Sequence, residues 1–127
     1  MAGAELEVRF PIKREIFLSS NSRNHWAVER RAHRQWRELA GWRFREVWGG
    51  RSPLERAFVV VTFHFPDRRR RDPHNWVHHV IKPCVDGAVD AGVIADDSGA
   101  HLVGPLPLLG EVSPRPGNFV MRVKEVS

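Results

Sequence analysis

Residues 4–10 alternate, with Leu6, Val8 and Phe10 on one side and Glu7 and Arg9 on the other. A period of two marks a half-buried β-strand. Residues 19–24, Ser-Ser-Asn-Ser-Arg-Asn, follow as a turn with several side chains able to cap a helix. Residues 25–47 then contain no proline and Gly41 as the one internal break. Val28, Ala32, Trp36, Leu39 and Ala40 recur there at helical spacing and predict a buried stripe. Arg30, Arg31, Arg34, Arg37 and Arg45 cover much of the remaining surface. After a Gly-Gly-Arg-Ser-Pro loop at 49–53, Ala57 to Phe65 is nearly continuous in apolar and β-branched residues. That run predicts a central strand covered on both faces, ending at Pro66.

Residues 76–91 return to helical spacing. Val77, Val80, Ile81, Cys84, Val85 and Ala88 share one face; Asn75, His79, Lys82, Asp86 and Asp90 share the other. Pro83 fits only in the first turn of a helix, because further in it removes a hydrogen bond and clashes with the preceding turn. The regular helix is therefore expected over about 83–91, with Gly92 as its stop. A helix over all of 76–91 would run about 24 Å, whereas the chain from Gly92 to Asp97 can return roughly 18 Å. The shorter helix lets Asp97 come back toward Asp72. Residues 101–109 are apolar but carry Pro105 and Pro107, which predicts an edge strand. Residues 110–118 read as a loop. Residues 119–126 read as a last strand, with Phe119, Met121 and Val123 opposite Arg122 and Lys124. The pattern amounts to one α+β domain over 1–127, with a mixed sheet of about four strands and two main helices.

Composition agrees with a globular core, since 42% of the 127 residues are hydrophobic. The N-terminus lacks the apolar stretch of a signal peptide and no apolar run approaches the roughly 20 residues of a membrane span. Cys84 is the single cysteine, so no internal disulfide forms; this suits a reducing cytoplasm and excludes cysteine-rich zinc modules. The net charge of +5 is unevenly spread. Cations outnumber carboxylates two to one in residues 1–71, and carboxylates outnumber cations in 72–127. The sign changes at Arg71–Asp72. Most of the cations are arginine, the better residue for gripping phosphate, so nucleic-acid binding is favoured over a merely soluble surface.

The candidate chemistry lies at that boundary. Asp67-Arg68-Arg69-Arg70-Arg71-Asp72-Pro73-His74-Asn75 is followed by Lys82-Pro83-Cys84-Val85-Asp86-Gly87 and then by Asp96-Asp97. Arginines attract a polyanion, and carboxylates on turns hold a hard cation such as Mg²⁺ against it. Metal-assisted phosphodiester hydrolysis needs both, with a lysine to meet developing negative charge. Asp72 and Asp97 are the first choices as metal ligands, with Asp96 assisting. Lys82, the one lysine between Lys13 and Lys124, is the catalytic candidate. Arg68, Arg69, Arg70 and Arg71 would hold the substrate backbone. His74, His78, His79, Cys84 and His101 raise zinc, but no complete zinc spacing is present, and solvent or core histidines are the simpler reading. No glycine-rich phosphate loop or nucleophile elbow occurs. Trp36 reads as core, while Trp26, Trp48 and Trp76 are candidates for stacking on bases.

Phe65 to Asp72, Asn75, Lys82, Asp86, Ala91-Gly92 and Asp96-Asp97, with Ser20-Asn21-Ser22-Arg23 upstream, together resemble the RusA family of Holliday junction resolvases. The similarity spans nearly the whole chain. It implies a single RusA-like endonuclease domain acting as a homodimer, with Mg²⁺ as cofactor. Such enzymes cut four-way DNA junctions symmetrically in recombination and repair, and two equivalent cuts call for two equivalent sites. It further implies metal binding by Asp72 and Asp97, catalysis by Lys82 and DNA contacts from Arg23, Asn75 and the arginine run. The expected setting is the cytoplasm, at the nucleoid or in a phage-infected bacterial cell. Two features depart from the family pattern. The acid expected two residues after Asp72 is His74, and about four extra residues precede Lys82. An imidazole takes Mn²⁺ or Zn²⁺ more readily than Mg²⁺, and Asp86 is an alternative replacement for the missing acid. Two other outcomes follow from the same residues: a junction-binding protein that does not cleave, and a zinc-stabilised interaction module.

Overall fold

The computed structural model describes residues 3–127. Four strands form one mixed sheet in the order β1-β4-β2-β3, from β1 (Glu5–Pro11), β2 (Ala57–His64), β3 (Leu102–Leu109) and β4 (Asn118–Glu125). β4 pairs antiparallel with β1 and β2, and β2 pairs parallel with β3. Helix α1 (Trp26–Trp48) and helix α2 (Lys82–Asp90) pack on one face. The architecture is α+β, as the pattern predicts. Among the described residues, no helix is long and apolar enough to cross a membrane.

The alternating strands bury the expected sides. Leu6, Val8 and Phe10 meet Phe119, Met121 and Val123, and these meet Val59, Val61 and Phe63 across the register. β2 differs from expectation. Its second face is only half covered, because both helices lie on the other side. Phe58 and Val60 therefore remain partly open, beside the exposed Leu106 and Leu108 of edge strand β3.

Helix α1 is capped by His25, whose Nδ1 accepts from the Ala27 amide, rather than by an upstream serine or asparagine. Gly49 closes it in the left-handed conformation. Its buried stripe is Ala32, Trp36, Ala40, Gly41, Phe44 and Trp48; Val28, assigned to the stripe from spacing, is exposed. Trp48 is thereby a core residue and not a base-stacking one. Gly87 of α2 crosses α1 so closely that a Cβ there would lie 2.6 Å from the Arg37 carbonyl oxygen and 2.7 Å from the Ala40 Cβ. Arg37 and Asp90 clasp the crossing through two bonds of 2.6 and 2.8 Å.

Pro83 does sit in the first turn of α2. The residues before it are nevertheless helical in other forms: a 3₁₀ turn at Pro73–Trp76 and a π turn at Val77–Ile81. The Lys82 amide reaches the Val77 carbonyl, a wide turn that loosens the backbone just where a proline ring would otherwise meet the preceding carbonyls. One consequence reverses a pattern-based assignment. His79, placed on the polar face by α-helical spacing, is buried at 6% exposure.

Candidate nucleic-acid and metal site

Asp72 follows the C-terminal end of β2 and starts the 3₁₀ turn. Its Oδ1 accepts from the His74 amide at 3.0 Å and lies 3.2 Å from the His74 ring nitrogen. The amide bond, then the ring, holds the Asp72 carboxyl below the usual carboxylate range. Both groups are well exposed. Asn75, at the end of the same turn, accepts through its carbonyl from the Ser20 amide at 2.7 Å. That bond ties the upstream Ser20–Arg23 loop to the turn carrying Asp72.

Lys82, Asp86 and Asp97 form a second group. Lys82 Nζ donates to Asp97 Oδ2 at 2.6 Å and to Asp86 Oδ1 at 3.3 Å. Asp86 is one helical turn from Lys82, so the pair shares a ridge of α2. Asp97 arrives from the next loop, which is pinned by Leu54 bonding to Val93 and Ala95 on either side of the buried Ile94. The hydrogen bond to Asp97 is the main cause raising the Lys82 pKa, and the reciprocal bond lowers that of Asp97. Asp96 is exposed beside it. Among the described residues, no hydrogen bond or ion pair joins the Asp72–His74 group to the Lys82–Asp86–Asp97 group. In the β2-α2-β3 crossover, Asp72 leaves the C-terminal end of β2 while Asp97 precedes the N-terminal end of β3. In a parallel pair those ends are opposite.

The arginine run also divides. Arg68, Arg69 and Arg70 are exposed. Arg71 turns inward, bonding Asp67 at 2.7 Å and lying 4.3 Å above the Phe65 ring. That bond, first among its causes, lowers the Asp67 pKa. Arg23 is exposed on its loop. Beneath the run opens a cleft of about 650 Å³ with a floor of Phe17, Phe65 and Trp76 and a rim of Arg14, Arg69 and Arg115. Arg14 and Arg115 escape sequence reading because both lie in loops far from the run along the chain. Only folding brings them to the run.

Of the histidines weighed for zinc, His74 is taken up with Asp72, and His101 bonds the Glu55 carbonyl. Cys84 is fully buried, and burial raises its thiol pKa, so a thiolate ligand is disfavoured. His78 and His79 instead join His33 of α1. Within the described residues, these three are the one group of such side chains whose ligand atoms all lie within 4.8 Å of one another. His33 Nε2 lies 2.8 Å from His79 Nδ1, and His79 Nε2 lies 3.3 Å from Glu29 Oε2. Nothing in the spacing of His33 or Glu29 flags them, because their partners are some fifty residues away.

Burial, then the neighbouring histidines, holds both His33 and His79 below the ordinary 6.5, against a smaller opposing pull from Glu29. Asp86 also opposes the shift at His33. A histidine with a lowered folded pKa takes its proton first in the unfolded chain. Its contribution is present above pH 6.5 and is lost as pH falls below that value. The melting temperature is therefore expected to drop between pH 7 and 5, before the carboxylates titrate. Substituting His33→Gln should flatten that slope in thermal unfolding followed by circular dichroism, and an unchanged slope would contradict the assignment.

Neither protein-family models nor curated proteins match this chain.

Proposed function

We propose that the chain is a metal-dependent, structure-selective DNA endonuclease acting on four-way junctions, like the RusA resolvases it resembles. The observation that carries this reading is Lys82, held by Asp97 and Asp86 in a cleft that Arg34 and Arg37 also line. The Ser20–Asn75 bond adds support, since it joins the two distant segments on which the resemblance rests. The Asp72, Asp86, Asp96 and Asp97 carboxylates are hard oxygen donors of the kind Mg²⁺ takes, with water and substrate completing its shell. Mg²⁺ or Mn²⁺, when bound, supplies Lewis acidity and an activated water. Lys82 presents an ammonium to the negative charge that develops on the phosphate or leaving oxygen. Arg68, Arg69 and Arg70 position the backbone phosphates, and the aromatic cleft offers a surface for an unstacked base. His74, bonded to Asp72, stands where the resemblance expects an acid. Mn²⁺ should consequently support cleavage better than Mg²⁺ does.

The test is nicking of a synthetic four-way junction, scanned over divalent ions, with linear duplex as the control. A second reading, a junction-binding protein that does not cleave, draws on His74 standing where an acid is expected and on the lysine that already neutralises Asp97. Tight junction binding with no nicking in any divalent ion selects that reading and sinks the first.

The homodimer belongs to the same proposal. Pro105 and Pro107 blunt the edge of β3 against strand addition. The half-open face carrying Phe58, Val60, Leu106 and Leu108 is the better apolar surface for a second copy. Light scattering on a size-exclusion column should show a dimer for the wild type and a monomer for Leu106→Glu/Leu108→Glu. A wild type that is monomeric at all concentrations would rule this out.

A further inference from the structure

His33, His78 and His79 meet where α1 passes the π turn. Consecutive residues of an α-helix diverge by about 100°, so two neighbouring histidines do not ordinarily serve one point. Here they do. The His33 ring centroid lies 5.6 Å from that of His78 and 5.0 Å from that of His79, and the ligand nitrogens of all three lie within 4.8 Å. Single wide turns of this kind recur at functional sites.

The surroundings fit a metal as well as the spacing does. Glu29 Oε2 lies 3.3 Å from His79 Nε2, an arrangement that favours the proton on that nitrogen, while Nδ1 is the atom nearest His33. A carboxylate behind a ligating imidazole is the usual device for fixing its tautomer. The three rings are unequal in exposure: His79 is buried, His33 half-buried and His78 exposed. His33 and His78 also line a cleft of about 370 Å³ that contains Arg34, Arg37, Lys82 and Asp86. One side of the group is thus protein and the other is open.

We propose that His33, His78 and His79 form a three-histidine site for a divalent transition metal, best matched by Zn²⁺, with its open position toward the cleft that holds Lys82 and Asp86. Imidazole nitrogen suits Zn²⁺ and not Mg²⁺. Zinc–nitrogen bonds of about 2.0–2.1 Å in a tetrahedron place ligand nitrogens roughly 3.3 Å apart. The 2.8 Å His33–His79 pair opens by about half an ångström to admit the ion, which replaces the proton between the rings. A site with three protein ligands keeps its fourth position for water or an anion, and Arg34, Arg37 and Lys82 make that cleft favourable to a phosphate oxygen. Glu29 is a positioning residue, acting through His79. The site shares a cleft with Lys82 and Asp86 of the nuclease reading, but takes none of its carboxylates as ligands and does not depend on it.

The experiment uses the full chain without an affinity tag, stripped with chelator and titrated with Zn²⁺ by calorimetry and with Co²⁺ by visible absorption, in the absence of DNA. One equivalent per chain is expected, with the intense visible bands of tetrahedral Co²⁺. Replacing exposed His78 by alanine should weaken binding at least tenfold without disturbing the core, and Glu29→Gln should weaken it by about 10-fold or more. Asp72→Asn and Asp97→Asn should bind as the wild type does. Absence of stoichiometric binding, or equal binding by wild type and His78→Ala, overturns the proposal. So does loss of binding in Asp72→Asn or Asp97→Asn, which would place the ion among the carboxylates. Junction cleavage in Mg²⁺ is scored separately, so either idea can fail alone.

Discussion

Lys82→Ala is expected to lower the single-turnover rate of junction cleavage by about 10²–10³-fold, the range seen when one donor to a developing oxyanion is removed. The side chain is half exposed, so its loss leaves the core untouched. Its placement is specific, with Nζ held at 2.6 Å by Asp97 and at 3.3 Å by Asp86. Because those carboxylates raise its pKa, Lys82 stays protonated through the neutral and mildly alkaline range and acts as a fixed charge, not as a base. Lys82→Arg should restore little, since a planar guanidinium cannot take the position of a compact ammonium between the two acids. Asp97→Asn should cost a comparable factor, because it removes both a candidate metal ligand and the main anchor of Lys82. Junction affinity should change little in either variant, because the proposal assigns the phosphate contacts to the exposed arginines. The measurement is cleavage of a labelled junction at saturating protein, paired with a binding assay in Ca²⁺. A rate within threefold of the wild type in Lys82→Ala would remove the lysine from the mechanism.

The sequence carried the elements more completely than it carried the site, and the reasons are local. Strand alternation in 4–10 and 119–126 is a short-range signal with period two, and it places Leu6, Phe10, Phe119 and Val123 correctly because sheet geometry leaves no other choice. Pro83 likewise marks the start of α2, through the steric rule that proline tolerates only a first helical turn. The π turn before it leaves no comparable mark. Its wide hydrogen bonding shifts the phase of the helix, and α-helical spacing then puts His79 on the wrong face. The same shift unites His78 and His79 with His33. For the charged residues, composition identified Lys82, Asp86 and Asp97, but the pairing depends on where the Leu54–Ile94 bridge sets the following loop. Asp72 illustrates the opposite case. Its hydrogen-bond partner is His74, two residues on, so the local sequence contains the interaction. Half-coverage of β2 was illegible because an apolar strand looks the same whether its second face meets a helix or awaits another chain.

Phe63→Ala is expected to destabilise the fold by about 3–5 kcal/mol, the usual cost of truncating a buried aromatic residue. Phe63 is fully buried at the C-terminal end of β2, and its ring centroid lies within 6 Å of those of Phe17, Phe65, Trp76 and Phe119. It is the common neighbour of the strand, the upstream loop and the 3₁₀ turn. Trp76 in particular, at the end of that turn, stacks on Phe17 at 5.3 Å and meets Phe65 at 5.0 Å. The cluster is therefore the support on which Asp72, His74 and Asn75 are set. With a total stability of roughly 5–15 kcal/mol for a domain of this kind, such a loss consumes a large share and should be plain in a urea titration as a lower midpoint. Phe63→Leu refills most of the volume and should cost less, which separates the cavity from the aromatic contacts. The two variants also bear on the site. If the cluster supports the turn, Phe63→Leu should weaken junction binding even at low temperature where it is fully folded, because the Asp72 turn and the aromatic cleft rest on the same rings. A Phe63→Leu protein with wild-type binding, together with a Phe63→Ala loss below about 1 kcal/mol, would show that the turn is held by its backbone bond to Ser20 instead.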